Sequence, residues 1–218
     1  MDKKYLKKLI KKEIGEYLMG AGFSRHKESV YIKIRESIIY NISFSFGSIG
    51  FTCTVAMQPL YVNGFQDKAF LHITFGSRLS RFKIVQKEWW TYDEPEKGVS
   101  EIKELLIKNG LPWFKQYGTP EGIIEFIQNG KVEEYGLKFN TYQQKQYLGF
   151  SLLYTGSIED GISALEVMLD GIKEDAVDWI KDYKMRIIEL ICRVEKDPVS
   201  AKIILDDIVQ ENRIALKL

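Results

Sequence analysis

The residues best suited to bind a ligand lie in a short stretch rich in arginine and tryptophan. Arg78 and Arg81 flank Leu79-Ser80, and the adjacent pair Trp89 and Trp90 follows after a short gap. Adjacent side chains in a strand point to opposite sides, so one tryptophan can fill a core while the other meets a partner. Arginines beside an exposed aromatic ring can hold single-stranded nucleic acid through phosphate contacts and base stacking. This stretch is therefore the first candidate binding surface.

The same stretch also has a purely structural interpretation, which we favour. Large aromatic side chains in a mixed domain lie mainly in the core, where tryptophans can anchor helices to a sheet. The arginines can pair with nearby acids, and the neighbouring Lys83 and Lys87 add positive charge without a ligand-specific pattern. Binding of single-stranded nucleic acid is accordingly the alternative function.

Metal-ligand patterns are missing from the sequence. The two histidines, His26 and His72, and the two cysteines, Cys53 and Cys192, stand in no spacing typical of zinc sites. Phosphate-loop, dinucleotide-binding and serine-hydrolase motifs are also absent. We therefore expect no cofactor, no resident metal and two free, buried thiols, although a disulfide between the two cysteines stays open. Structural roles are favoured for His72.

One constellation imitates a metal-dependent nuclease. Asp93, followed by Glu101 and Lys103, has the carboxylates and lysine with which such enzymes hold a divalent ion and orient water. These groups belong on adjacent strands, whereas a helix would turn Glu101 and Lys103 apart. A metal-dependent hydrolase is thus a distant alternative, and no catalytic residue is assigned.

The composition leaves the molecule without a strong net charge. The chain has 218 residues, of which 45% are hydrophobic, and 31 basic against 30 acidic residues leave a net charge of +1. Such a balance favours neither nucleic acid nor anionic membranes over the whole molecule. No apolar run approaches the ~18 residues of a membrane span, and no signal-peptide pattern is seen at the start. We expect a cytoplasmic protein.

The C-terminal segment is acidic, in contrast to a lysine-rich first helix. Charge separation of this kind can steer a basic partner to one end of a molecule. It favours a module that docks a basic protein, for instance a nucleic-acid-degrading toxin that it neutralises, with Glu159, Asp160 and Asp175 as candidate contacts. A merely solvated helix face is the simpler alternative. The acids of this segment outnumber its lysines, Lys173 and Lys181, and are Glu159, Asp160, Glu166, Asp170, Glu174, Asp175, Asp178 and Asp182.

Hydrophobic periodicity predicts an α+β fold. We expect an antiparallel sheet of about four to five strands with flanking helices, followed by an all-helical C-terminal bundle. The predicted domains are residues 1–130 (α+β) and 141–218 (helical), with a soft boundary at 131–140 and a polar break at 93–98. Strands are predicted at 30–35, 38–46, 51–57 and 70–75; helices at 2–19, 99–108, 120–128, 142–154, 158–171, 174–195 and 198–215.

Several short motifs, in their order along the chain, carry a family resemblance. They are Gly22-Phe23 after the first helix, Arg78-Leu79-Ser80-Arg81, Glu88 before Trp89-Trp90, and Leu111-Pro112-Trp113-Phe114. Together with the strands, these motifs resemble the bacterial family catalogued as Domain of Unknown Function 4304 over roughly the first 130 residues. The resemblance implies no activity and no catalytic residues, and the helices from Tyr142 onward look like an extension. We therefore favour a non-enzymatic protein-binding module.

Overall fold

The computed structural model describes residues 3–62, 75–82, 88–137, 139–172 and 176–218. The predicted α+β class is confirmed, with an antiparallel sheet and a mostly helical C-terminal half. The described chain forms two compact units. We call the one that contains the sheet the sheet unit and the other the helical unit.

Six strands form one sheet in the described part of the chain. Their order is β1-β2-β3-β4-β5, and the short β6 also pairs with β4. β5 and β6 pair with different parts of β4, β6 at Gly50 and Phe51 and β5 at Thr54 to Met57. The strands are β1 (Ser24–Lys27), β2 (Val30–Arg35), β3 (Ile38–Phe46), β4 (Gly50–Pro59), β5 (Phe75–Arg78) and β6 (Trp90–Thr91).

The helices divide between the two units. The sheet unit contains α1 to α4 and α6, whereas the helical unit contains α5 and α7 to α10. A π-helical turn interrupts the first helix at Lys11–Gly15, and another joins α3 to α4 at Leu106–Gly110. The helices are α1 (Lys3–Ile10), α2 (Glu16–Gly20), α3 (Pro95–Leu105), α4 (Leu111–Tyr117), α5 (Pro120–Gln128), α6 (Lys131–Glu134), α7 (Thr141–Thr155), α8 (Ile158–Asp170), α9 (Asp178–Lys196) and α10 (Ser200–Leu216).

β4 is the core strand of the sheet unit. All ten of its residues are buried, because it pairs along both edges and helices approach it closely. Two glycines permit close approach to the sheet, Gly15 at β2 and Gly98 at β4. A Cβ on Gly15 would lie 2.3 Å from the Tyr31 hydroxyl oxygen, and a Cβ on Gly98 would lie 2.8 Å from the Phe51 ring. The π turn and α3 therefore pack directly on the sheet.

The helical unit is organised around a close hairpin of α7 and α8. Asn140 and Gln143 form a capping box at the start of α7, and Gly156 ends that helix with φ +90. Glycines face the partner helix on both sides: a Cβ on Gly149 would lie 2.7 Å from Leu165, and one on Gly161 would lie 2.8 Å from Leu153. This packing is a plain helical hairpin.

Several element boundaries differ from the sequence expectations. The polar break predicted at 93–98 is wrong in part, because Pro95 at the first helical position starts α3 there. The helix predicted at 120–128 is confirmed as α5, and the Thr119 hydroxyl caps its start by accepting from the Gly122 amide at 3.0 Å. The strand predicted at 70–75 falls outside the described residues except at Phe75, as does the predicted start of α9 at 174–175.

The division into units also runs differently from the expected boundary at 131–140. Helix α5 packs on α7 within the helical unit, whereas α6, later in sequence, belongs to the sheet unit. The Ser77 hydroxyl ties this last segment to β5 by donating to the Gly136 carbonyl at 3.1 Å. Within the described ranges, every helix is too short or too polar to cross a membrane.

Candidate functional site

Arg78, Arg81 and Glu88 form a charge cluster where β5 ends. Arg78 is the last residue of β5, and a 3-10 turn, Leu79–Arg81, follows at once. The Glu88 carboxylate pairs with both guanidinium groups, one oxygen to each. The pKa of Glu88 lies below its ordinary value, chiefly because Arg81 donates a hydrogen bond to it. One exposed, ionised carboxylate therefore forms ion pairs with two guanidinium groups.

The two adjacent tryptophans point to different surroundings. Trp90 lies in β6 opposite Phe51 and is buried, and its indole N–H donates to the Glu101 carboxylate at 2.8 Å. Trp89 is half-buried, and the guanidinium carbon of Arg78 lies 4.8 Å from its ring centroid. Gly47 lies against the same indole, where a Cβ would approach to 3.1 Å.

This geometry gives little support to a stacking platform for nucleic acid. Trp90 is an interior residue that anchors α3 to the sheet, so it cannot stack on a base. One neighbour of the Trp89 ring is already a guanidinium, and Glu88 offsets part of the charge that would hold phosphate. Lys83 and Lys87, the other cations of the expected platform, lie outside the described residues.

Glu101 and Lys103, two of the three residues that resemble a nuclease site, contact different partners in the structure. Glu101 accepts the hydrogen bond from Trp90, and Lys103 pairs with Glu13 at 3.6 Å. Asp93 is exposed and precedes α3, which carries the other two. The expectation that the helix turns Glu101 and Lys103 toward different neighbours is confirmed. A hydrolytic centre therefore has no support in this arrangement.

Histidine and cysteine provide no ligand cluster in the described ranges. No three His, Cys, Asp or Glu side chains there come close enough to hold a metal ion. His26 is exposed on β1, and His72 lies outside the described residues. Both cysteines are free, but only Cys53 is buried; the expectation that both are buried is wrong for Cys192, which is exposed on α9. Burial raises the pKa of the Cys53 thiol.

Helix α8 carries four of the exposed acids of the helical unit. We call Glu159, Asp160, Glu166 and Asp170 the acidic face; all four are exposed, and α8 contains no lysine or arginine. None of the four has an ion-pair or hydrogen-bond partner within the described part of the chain. Val167 is 48% exposed between two of these acids. Asp175, the third candidate contact, lies outside the described residues.

A pocket in the sheet unit was not anticipated from the sequence. It has a volume of about 420 Å³ and lies where α2 ends, beside β2, β3 and α4. Three cations, Lys33, Arg35 and Lys115, and three aromatic side chains, Phe23, Tyr40 and Phe114, line it. Because these residues come from separate elements, no local sequence pattern brings them together. The Leu111-to-Phe114 motif was noted in the sequence, but its neighbour Lys115 was not.

Comparisons with known proteins add no relative. No family model matches the chain, and no curated protein or solved structure is significantly similar to it. The resemblance to the Domain of Unknown Function 4304 family stays a prediction that rests on the short motifs given above.

Proposed function

We propose that the protein is a non-enzymatic, cytoplasmic protein-binding module, and that the acidic face of α8 contacts a basic protein. The observation that carries the proposal is the state of this helix: four exposed carboxylates, no cation and no ion-pair partner within the described residues. The free thiols of Cys53 and Cys192 support a reducing compartment.

The charges of α8 are poorly explained by the stability of the helix itself. Glu159 and Asp160 lie in the first turn, where negative charge is favourable for the helix dipole. Glu166 and Asp170 lie toward the opposite end, where negative charge is unfavourable, and they repel each other at a separation of four residues. A structural role therefore accounts for only half of the acidic face.

A basic partner would relieve the repulsion between Glu166 and Asp170, and this relief would favour binding. Unpaired carboxylates of one sign raise the association rate with a cationic surface, and they cost little to desolvate at the rim of an interface. Val167 adds an exposed apolar side chain between Glu166 and Asp170, where it can be buried on binding. Toxins that degrade nucleic acid belong to the class of partner proposed, since they need a cationic surface for their own substrate.

The experiment compares three forms of the protein as baits. Wild type, Glu166→Lys/Asp170→Lys and Asp207→Lys/Glu211→Lys would each be used to pull proteins from the source cell, with identification by mass spectrometry. The α10 pair is a matched control because Asp207 and Glu211 are also exposed and four residues apart, and neither has an ion-pair partner in the described part of the chain.

We expect one or more basic proteins to bind wild type and the α10 variant but not the α8 variant. The association rate of the purified partner with wild type should fall steeply as salt is raised. Retention of the same proteins by the α8 variant with unchanged kinetics would overturn the proposal, as would equal loss from both variants.

A further inference from the structure

The pocket of the sheet unit has the composition of a site for a small organic anion. Its volume of about 420 Å³ lies in the range of pockets that hold small molecules. Its lining combines apolar rings with cations, and no carboxylate is among the described residues that line it. Glu36, in the neighbouring β2–β3 turn, adds to the rise in the pKa of Tyr40 that burial chiefly causes, but it does not line the pocket.

The aromatic side of the pocket is held rigidly. The rings of Tyr40 and Phe114 are stacked, with centroids 4.7 Å apart and an angle of 4° between their planes, and Phe23 lies 6.2 Å from Phe114. The Tyr40 hydroxyl donates to the Gly118 carbonyl at 2.8 Å, which fixes the end of α4 against β3. Only 6% of Phe23, 4% of Tyr40 and 2% of Phe114 is exposed, so a ligand meets a preformed apolar wall of small area, and little ordering of that wall is needed on binding.

The cationic side is unneutralised. Lys33, Arg35 and Lys115 make no ion pair within the described residues. Lys33 donates to the Ala21 carbonyl at 2.8 Å, and the Arg35 guanidinium is close enough to the Tyr40 hydroxyl to oppose the rise in the pKa of Tyr40 that burial causes. Because these contacts are to neutral groups, three positive charges face the same space. Their mutual repulsion would be relieved by an anion.

A local feature of the backbone places one cation and one ring at the pocket. The π-helical turn at Leu106–Gly110 directly precedes α4, which supplies Leu111, Phe114 and Lys115 to the lining. A π turn inserts one residue into the helix and so shifts the face presented by every residue after it. Such turns often occur at functional sites, and this one sets which side chains of α4 face the pocket.

We propose that this pocket binds a small aromatic anion, with its apolar ring against Phe23, Tyr40 and Phe114 and its carboxylate or phosphate group held by Lys33, Arg35 and Lys115. The site is separate from the acidic face of α8, and it is a binding site without a catalytic step. Recognition requires both parts of the ligand, because the rings alone give weak hydrophobic contact and the cations alone remain solvated.

The test uses four probes with the full chain in titration calorimetry. Naphthoate has a ring and a carboxylate, and AMP has a ring and a phosphate; neutral naphthalenemethanol and inorganic phosphate supply one part each. We expect naphthoate, AMP or both to bind with a Kd below about 1 mM and each single-part probe to bind at least about tenfold more weakly. The stronger of naphthoate and AMP identifies the anionic group that the pocket prefers.

Variants of exposed residues test the location without disturbing the core. Lys115→Gln and Arg35→Gln should each weaken binding of the preferred probe about three- to tenfold. Lys27→Gln is the matched control, because Lys27 is an exposed lysine of the same unit with no ion pair in the described ranges and does not line the pocket. Its affinity should stay within about twofold of wild type. Thermal unfolding would verify that all three variants are folded.

Four results would overturn the proposal. They are no binding of naphthoate or AMP up to about 10 mM, binding of neutral naphthalenemethanol as tight as that of naphthoate, binding of phosphate as tight as that of AMP, and equal weakening by Lys27→Gln and Lys115→Gln. Selective weakening at Arg35 and Lys115, combined with a loss of affinity at high salt, would support it.

Discussion

The indole N–H of Trp90 donates a hydrogen bond to the Glu101 carboxylate at 2.8 Å and thereby joins β6 to α3. Gly98, one turn before Glu101, lets the helix approach the Trp90 side chain, where a Cβ would lie 3.2 Å from the tryptophan Cβ. The contact gives structural roles to two residues that were candidates for nucleic-acid stacking and for metal binding.

Removing the acceptor should destabilise the protein. Glu101→Leu leaves the buried Trp90 N–H without this partner, which costs about 1–3 kcal/mol of the free energy of unfolding. Glu101→Gln keeps a carbonyl oxygen for the same hydrogen bond and should cost clearly less. Urea denaturation followed by tryptophan fluorescence measures both. Equal losses in the two variants would show that the hydrogen bond contributes nothing and that packing alone anchors α3.

The charge cluster predicts a specific titration of Glu88. Its pKa is lowered first by the hydrogen bond from Arg81, with Arg78 contributing less. NMR titration of the side-chain carboxyl should therefore show a larger rise toward the ordinary value in Arg81→Gln than in Arg78→Gln. Because the folded pKa is below the unfolded one, the ion pairs stabilise the fold above the unfolded pKa, and this contribution is lost as pH falls through the folded value. A Glu88 pKa that is unchanged in both variants would contradict the pairing of Glu88 with the two arginines.

Freeing the arginines should raise the affinity for single-stranded nucleic acid above that of wild type. Glu88→Gln removes the carboxylate shared by Arg78 and Arg81, so both guanidinium groups become available to phosphate. Fluorescence anisotropy with a labelled single-stranded oligonucleotide should show tighter, salt-sensitive binding by this variant. Glu94→Gln, which frees only Lys97 at another exposed pair, is the control. Strong binding by wild type itself would instead promote the nucleic-acid function.

Periodicity predicted the strands whose sequence alternates apolar residues with others, and it missed the strands without such alternation. β2, β3 and β4 alternate apolar and other residues and were found, whereas all four residues of β1 are exposed and Ser24–Lys27 has no alternation to detect. β6 has two residues, too few for a period. The π turns carry no sequence signal of their own, because the same residues would also suit an α-helix.

Site chemistry was harder to predict because it depends on tertiary partners. The adjacent tryptophans correctly indicated one buried and one partly exposed ring, yet the sequence could not show that Glu88 joins both arginines or that Glu101 meets Trp90. The pocket illustrates the same limit. Lys33 on β2 and Lys115 on α4 are distant in sequence, and only the fold places them around one space.

The close packing of α7 on α8 predicts opposite effects for two glycines. In Gly161→Ala the new Cβ would lie 2.8 Å from Leu153 side-chain atoms and 2.9 Å from its backbone nitrogen, so the helices must separate. We expect a loss of about 1–3 kcal/mol in the free energy of unfolding. In Gly171→Ala the new Cβ meets the Met168 carbonyl oxygen at 3.4 Å and the Val167 carbonyl oxygen at 4.0 Å, so the change should be neutral or stabilising by up to about 1 kcal/mol. Chemical denaturation that ranks the two the other way would contradict the hairpin geometry.

Reversing the charges at Glu166 and Asp170 should preserve or raise stability while it weakens binding. Glu166→Lys/Asp170→Lys removes a repelling pair and places positive charge near the C-terminal end of α8, where the helix dipole favours it. Thermal unfolding should therefore occur at the same or a higher temperature than in wild type, with a gain of up to about 1 kcal/mol. Association with the basic partner should slow at the same time, since these carboxylates steer the encounter. Glu159→Lys/Asp160→Lys reverses the favourable first-turn charges and should lose both stability and binding. If the first variant loses stability as well, the acids at 166 and 170 have a structural role, and the case for a partner surface on α8 is removed.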